Sequence, residues 1–386
     1  MLKGQEITVL GAGIAGLAVA TALAQRGAQV RVLEQADAIR EVGAGLQVTP
    51  NGVAVLRALG LEGALRAAAP LARAVQLRDF RRGDPVFRLD LTRPDRPYHL
   101  THRADLINIL RQGASEAGAR IELGQHVTGV DPEAGQMQVN GHTETAPLII
   151  GAGGLHSPTR AALNPGGQPF FTGQVAWRST IPWDDPTTPP EATVHMGPGR
   201  HLVTYPLRGG ALLNVVAVEE RDAWAAEGWH HRDDPQAPWR AFVDFCPEVR
   251  DILYRAEEVF LWGLFRHPVA RNWGQGRAAI LGDAAHPTLP FLAQGANMAL
   301  EDAWVLAECL DTHATTEAAF AAYQARRRPR AARVIDAASR NARNYHLHPG
   351  PTRAAAHLAL KLGTRLAPGL AARQFDWLYG HDVTRH

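Results

Sequence analysis

Cysteine is scarce. Only Cys246 and Cys309 occur in 386 residues, too few and too far apart for a disulfide framework, so reduced thiols in a cytoplasmic protein are the simpler reading. An excess of one charge is also missing. Forty Lys and Arg stand against 38 Asp and Glu, a net charge of +2, which gives no reason to expect a nucleic-acid partner. Nor is there an apolar run long enough to cross a membrane comfortably. The longest, Ile7 to Ala24 behind Lys3, imitates a signal peptide, but Glu6 opens it and Gly11, Gly13 and Gly16 interrupt it. Internal repeats and low-complexity segments are absent. A composition 46% hydrophobic and 20% charged excludes wholesale disorder, and the length suits two intimately packed domains.

Periodicity then sketches an α/β chain. Ile7 to Leu10 is a short aliphatic strand ending at Gly11, Ala15 to Arg26 is an Ala- and Leu-rich helix closed by Gly27, and Gln29 to Leu33 is a second strand. Pro147 to Gly151 and Ala278 to Leu281 resemble further buried strands. Between Phe170 and Phe265 the texture changes to many short runs, with alternation over Leu212 to Val218 after a hairpin turn at Pro206 to Gly210. This middle region reads as a mostly antiparallel sheet inserted into the α/β unit. After Ala296 the chain is strongly helical to about Arg343.

Gly11-Ala-Gly13-Ile-Ala15-Gly16 sits between the first strand and the helix. Gly11 permits a tight turn, Gly13 lets backbone approach a pyrophosphate, and Gly16 lets helix and strand pack closely, while the helix N-terminus favours phosphate charge. Glu34 ends the second strand, 23 residues after Gly11, where a carboxylate accepts hydrogen bonds from ribose hydroxyls. The unit alone does not tell FAD from NAD.

That distinction comes from Gly282-Asp283-Ala-Ala-His286-Pro287, followed by Pro290, Gln294-Gly295-Ala296-Asn297 and Glu301-Asp302-Ala303. The string resembles the Gly-Asp motif of the group A flavoprotein aromatic hydroxylases, which include para-hydroxybenzoate, salicylate and 3-hydroxybenzoate hydroxylases. The resemblance implies FAD as cofactor, Asp283 on the flavin ribityl chain, and the Gly295–Asn297 turn as a helix N-terminus beside the flavin pyrimidine ring. Glu41 to Asn51, containing Gln47, resembles the family's segment along the flavin. His102-Arg103-Ala-Asp105-Leu106 is similar to its HRxDL helix start, whose arginine reaches the cofactor. Val127 matches a position whose backbone meets the adenine. One departure stands out: Gly153 occupies the place of the family's aspartate in Gly151-Ala-Gly153-Gly154-Leu-His-Ser157-Pro-Thr-Arg160, a motif linked to FAD and pyridine-nucleotide binding.

The implied fold is α/β, a Rossmann-type FAD-binding domain of the para-hydroxybenzoate hydroxylase kind with an inserted antiparallel substrate sheet and C-terminal helices. Residues 1–75, 100–165 and 275–330 would form the FAD-binding domain, 76–99 and 166–274 the substrate domain, and 331–386 a C-terminal helical segment. The implied activity is hydroxylation of a small phenolic acid, salicylate- or 3-hydroxybenzoate-like, using NADH or NADPH and O2 through a flavin C4a-hydroperoxide. Its electrophilic oxygen needs an ionised phenol and a dry site. If Arg200 to Leu207 is a strand, His201, Val203 and Tyr205 share one face, presenting an imidazole as base and a phenol beside it. The pattern is similar to a strand of 3-hydroxybenzoate 6-hydroxylase-like enzymes whose His and Tyr touch substrate. A same-fold flavoprotein acting on a non-aromatic substrate, or a flavin carrier without turnover, are the alternatives.

His230-His231, His99 with His102, and His346 with His348 lack partners at ligand spacing, so no metal is expected. Ser157 lacks a nucleophile elbow. Arg326-Arg327-Arg328 with Arg330 and Arg333 reads as a solvated helix face. Neither nucleic acid nor membrane is expected as a partner, and the chain is expected to be a monomer or homodimer.

Overall fold

The computed structural model describes residues 2–39, 44–221, 231–366 and 373–385. A six-stranded sheet runs in the order Gly274–Gln275, Ala278–Ile280, Ile149–Gly151, Glu6–Leu10, Gln29–Leu33, Arg120–Glu122. It is parallel apart from the Gly274–Gln275 edge. Its central strands are apolar without alternation because both faces are covered. Helix Ile14–Ala24 lies against the sheet and against helices Arg103–Glu116 and Gly295–Thr312. All its residues but Ala15 are buried, which is why it shows no polar stripe.

The second large sheet has eight strands, in the order Arg232–Asp233, Val259–Arg266, Phe170–Pro182, Leu212–Glu220, Arg200–Leu207, Glu191–Gly197, Ala74–Asp79, Pro85–Asp90. Every pairing is antiparallel except that of Glu191–Gly197 with Ala74–Asp79. Side-chain alternation gives it two faces. Trp177, Ile181, Leu202 and Leu213 form a core on the back face with Phe242, Phe245, Val249 and Leu253. On the front face Ala176, Val218 and Leu264 meet Leu289, Phe291, Ala338 and Ala342 of the segments flanking the nucleotide fold. The hairpin at Pro206 to Gly210 is present as a short 3-10 turn, Arg208–Gly210, with all three residues at positive φ. Two small sheets were not foreseen: Gly45–Val48 with His99–His102, and the meander Val127–Asp131, Gln136–Val139, His142–Thr145.

Helices Gly295–Thr312 and Thr316–Tyr345 pack together and correct one expectation. Only part of the arginine run is a solvated face: Arg326, Arg328 and Arg333 are exposed, whereas Arg327 and Arg330 turn inward. Arg327 is 1% exposed and pairs with Glu301 at 2.6 Å and Asp302 at 2.7 Å. Arg330 pairs with Glu301 at 2.7 Å. Two carboxylates inside an apolar helix demand cations, and a helix presents residues three or four apart on one side, so part of the run is drawn inward. Among the described residues, no helix is long and apolar enough to cross a membrane.

Candidate functional site

The glycine loop shows which demands come from protein and which from a ligand. A side chain at Gly16 would place Cβ 1.9 Å from the Gly11 carbonyl oxygen, and Gly11 itself has φ 105° with its missing Cβ against Ala152. Those two positions are fixed by packing. A Cβ at Gly13 would meet no protein atom within 4 Å, although Gly13 caps helix Ile14–Ala24. The space before that helix N-terminus is a cradle a side chain would fill, as a pyrophosphate site requires. Glu34 closes the cradle: its Oε2 accepts from the Ala12 N–H at 2.7 Å and its Oε1 from Ala36 at 3.0 Å. Free lone pairs remain for ribose hydroxyls. The Gln125 N–H donates to the Glu34 carbonyl at 2.8 Å, and Val127, two residues on, is half-buried at the start of its strand.

Asp283 lies exposed on the 3-10 turn Gly282–Ala284, whose Gly282 packs against Ala15 of the glycine loop. The protein packed around it raises its carboxyl above the usual range, while His286, Arg103 and His267 pull it down. The turn is held from below. Asp302 Oδ2 accepts from the Gly282 N–H at 3.0 Å and binds His286, and Arg160 donates to the Ala284 carbonyl at 2.6 Å. Arg103 opens helix Arg103–Glu116, its N–H donating to Ala44 at 3.0 Å, and its charge reaches both Asp283 and Arg178. Asp105 is engaged elsewhere, on Arg208 at 2.6 Å.

The Gly295–Asn297 turn is the first turn of an 18-residue helix, with Gly295, Ala296 and Asn297 supplying N–H groups that lack helical partners. The Asn297 side chain does something else. Fully buried, it accepts from the Thr49 N–H at 2.9 Å and donates to the carbonyls of Gln47 at 2.9 Å and Ala293 at 2.8 Å. It fastens the Gly45–Val48 strand to the helix start, so any approach to a cofactor is through its backbone. The Gln47 side chain accepts from the Tyr98 hydroxyl. The first residues of that segment, Glu41 to Gly43, lie outside the described residues, as does His230.

His201, Val203 and Tyr205 share the front face of the eight-stranded sheet, each paired with a front-face residue of the next strand. His201 and Tyr205 are four residues apart, roughly 13 Å along a strand, and sit in different surroundings. His201 is 1% exposed, with its ring 5.6 Å from Phe291 and 5.2 Å from Tyr345. Its Nδ1 is 2.6 Å from His346 Nε2, and His346 Nδ1 is 2.7 Å from Glu220 Oε1. Burial, with His346 beside it, holds His201 well below the ordinary imidazole value, and burial also lowers His346 against the pull of Glu220. Tyr205 lies against Gly45, where a Cβ would come within 2.6 Å of the tyrosine ring. Burial raises its hydroxyl and Arg178 lowers it.

The sequence singled out neither Arg178 nor Phe291, and His346 only as a discounted metal ligand. Arg178 stands on the same front face, two strands from Val203, over the Trp262 ring at 4.7 Å. Burial pushes its guanidinium down to about 10, with Tyr205 opposing and Arg103 assisting. A guanidinium inside an apolar sheet run was the one available signal. Away from the groove, His195, Cys246 and Glu248 bring ligand atoms within 4.8 Å on the sheet's back face, but Arg78 holds Glu248 at 3.2 Å and would repel a cation. Gly153 carries no unusual φ, and a Cβ there would make ordinary contact with Ser157 at 3.6 Å. Ser157 itself caps helix Pro158–Leu163.

The model of the family described as FAD binding domain matches residues 5–338. The chain is 37% identical to 3-amino-4-hydroxybenzoate 2-monooxygenase of Streptomyces cremeus, covering 98% of this chain and 95% of the relative. It is 33% identical to 3-hydroxybenzoate 6-hydroxylase of Polaromonas naphthalenivorans, covering 98% and 96%. A salicylate hydroxylase substrate complex superposes with a TM-score of 0.81 at 23% identity, covering 99% and 97%, a likeness of fold. The chain therefore belongs to the FAD binding domain family and is a FAD-dependent monooxygenase of the group A aromatic hydroxylases, with NAD(P)H as co-substrate.

Proposed function

We propose that this flavoprotein hydroxylase acts on a hydroxybenzoate, with or without a ring amino group, and that its substrate lies between the front face of the eight-stranded sheet and the Pro290–Leu292 turn. One observation carries the reading: that face brings together His201, the apolar Val203 and Val216, and the half-buried cation Arg178. A hydroxybenzoate has a hydroxyl for the first, a ring for the second and a carboxylate for the third. The substrates in the names of the two relatives above share those parts.

In this reading Arg178 binds the carboxylate, its fixed charge in low dielectric being worth more than in water. His201, neutral at pH 7, accepts the phenolic proton, and Tyr205 orients the ring. Leu292, Phe291 and Trp262 exclude water. Gly11, Gly13, Ala15, Gly16, Glu34, Gln47, Arg103, Val127, Asp283 and the Gly295–Asn297 turn hold FAD, which when bound supplies the electrophilic oxygen from O2. Residues 76–99 and 166–274 form the substrate domain, whose support is the eight-stranded sheet, although strand Ala74–Asp79 of that sheet starts before residue 76. The test is a panel of monohydroxybenzoates and aminohydroxybenzoates, each assayed for coupled NAD(P)H and O2 consumption and for product. Coupled turnover with a panel member is expected, and lost on Arg178→Met through a raised KM. Coupling with benzoates lacking the hydroxyl would refute the reading.

A further inference from the structure

His346 touches His201 but has no chemical role assigned to it, yet it is 3% exposed and bridges two other ionisable groups. It follows helix Thr316–Tyr345 as its C-cap, and that helix carries it onto the front face of the substrate sheet. There the His201 Nδ1–His346 Nε2 distance is 2.6 Å, the His346 Nδ1–Glu220 Oε1 distance is 2.7 Å, and Glu220 is 46% exposed at the end of its strand. The three side chains form an unbroken hydrogen-bonded line from the buried face to solvent.

The chemistry of the groups fixes the direction of the line. A carboxylate only accepts, so His346 must carry its proton on Nδ1. A neutral His346 then has a lone pair on Nε2, so the donor in the next bond is His201 Nδ1–H. His201 is left with its lone pair on Nε2. The charge at the surface end thus dictates which nitrogen of the buried histidine is the base.

We propose that Glu220 and His346 are positioning residues for His201, fixing it as the Nδ1–H tautomer and conducting the substrate's phenolic proton out to solvent. This rests on the reading of His201 as the base. In the step, the substrate O–H bond breaks and the proton joins His201 Nε2. The proton on His201 Nδ1 passes to His346 Nε2, that on His346 Nδ1 passes to Glu220, and the resulting carboxylic acid releases it to water. One proton leaves, the phenolate carries the only new charge, and neither histidine is left charged. Run in reverse, the line protonates the product phenolate and restores both tautomers. The groups facing His346 are Glu220, His201 and His348, with the Gln174 amide 3.4 Å from its Nδ1, while Tyr345 packs on the His201 ring. Glu220 is the only anion among them, so its neutralisation should remove the direction of the line without emptying the space.

The test uses the FAD-loaded enzyme and the chromophoric probe 4-hydroxy-3-nitrobenzoate, whose phenolate is coloured. Ionisation of the bound probe is followed from pH 5 to 8, and its rate by stopped-flow pH jump. Glu220→Gln and His346→Gln should each raise the midpoint by about one pH unit and slow ionisation at least tenfold. FAD content and probe affinity should stay near wild type, which a merely structural role would not allow. A midpoint and rate unchanged in either variant overturns the relay. His201→Ala separates this from the parent reading: wild-type ionisation there removes His201 as base. Loss of ionisation there alone keeps the base and rejects the relay.

Discussion

Replacing Arg327 with methionine should expose how the Gly282–Ala284 turn is held from below. The guanidinium lies between Glu301 and Asp302, whose side chains are fully buried, and all three are out of reach of water. Methionine fills similar space and removes the charge. Glu301 keeps Arg330 and the Asn51 amide, each at 2.7 Å, and Asp302 keeps His286 and the Gly282 N–H. Breaking a buried pair by removing one partner costs about 3–5 kcal/mol. With an unfolding entropy of roughly 2 cal/mol/K per residue, a chain of this length should melt about 4–6 °C lower. The pH dependence gives a sharper test. Burial pushes both carboxyls up, but Arg327, Arg330 and His286 outweigh it and hold each at about 2. Both folded values lie below the unfolded ones near 4, so their contribution is present above about pH 4 and is lost as pH falls through about 2. In Arg327→Met the carboxyls rise, so the mutant's deficit should be largest at pH 6–8 and shrink as pH falls from about 5 to 3. Thermal melts of mutant and wild type across that range measure it. A loss under 1 °C, or a deficit independent of pH, would refute the reasoning.

Glu34→Ala and Asp283→Ala should each weaken FAD binding by on the order of 1.5–3 kcal/mol, the worth of a charge-assisted hydrogen bond, and fluorescence titration reads it. Undiminished affinity in both would remove the two assignments. Gly153→Asp meets no steric bar, since its Cβ would lie in ordinary contact with Ser157 at 3.6 Å. It should lower the KM for NAD(P)H without altering the product, and steady-state kinetics showing an unchanged or higher KM would count against a role for the missing aspartate. His201→Ala should slow hydroxylation by roughly 10²–10⁴ while NAD(P)H oxidation continues and H2O2 replaces product. Because burial holds the imidazole well below its ordinary value, the acid limb of wild-type kcat/KM should fall below pH 6.5, and a limb at or above 6.5 would argue against His201 as the base.

The nucleotide half was legible because its demands are local. Strand, glycine turn and helix follow one another within Glu6 to Ala24, and the alternation at Leu212 to Val218 announces a sheet with two unlike faces. What could not be read was pairing at a distance. Nothing within Ala74–Asp79 says that it lies parallel to Glu191–Gly197, because backbone hydrogen bonds carry no sequence identity. The arginine run failed for a related reason. A charge count weighs all positions of a helix alike, whereas Glu301 and Asp302, acidic residues within an otherwise apolar stretch, were the local sign that some arginines had to turn inward.

The site divides along the same line. Where a ligand needs backbone, the sequence must supply glycine, and Gly13 fits that demand, since a Cβ there would meet no described atom within 4 Å. Where the work belongs to a side chain, residue type was ambiguous. Asn297 stands in the right motif, but its amide is spent on Gln47, Thr49 and Ala293, and it shapes the groove without reaching into it. His346 stands in no motif at all. Its significance arises only when a helix of 30 residues sets it against a strand 145 positions earlier. A base in a dry pocket needs somewhere to send its proton, and burial alone would leave His201 a weak one. The residues that meet this need are selected by the path to solvent, so they belong to whichever elements line that path. On the proposed relay, that is why the nitrogen facing the substrate is set from Glu220, the last residue of the neighbouring strand.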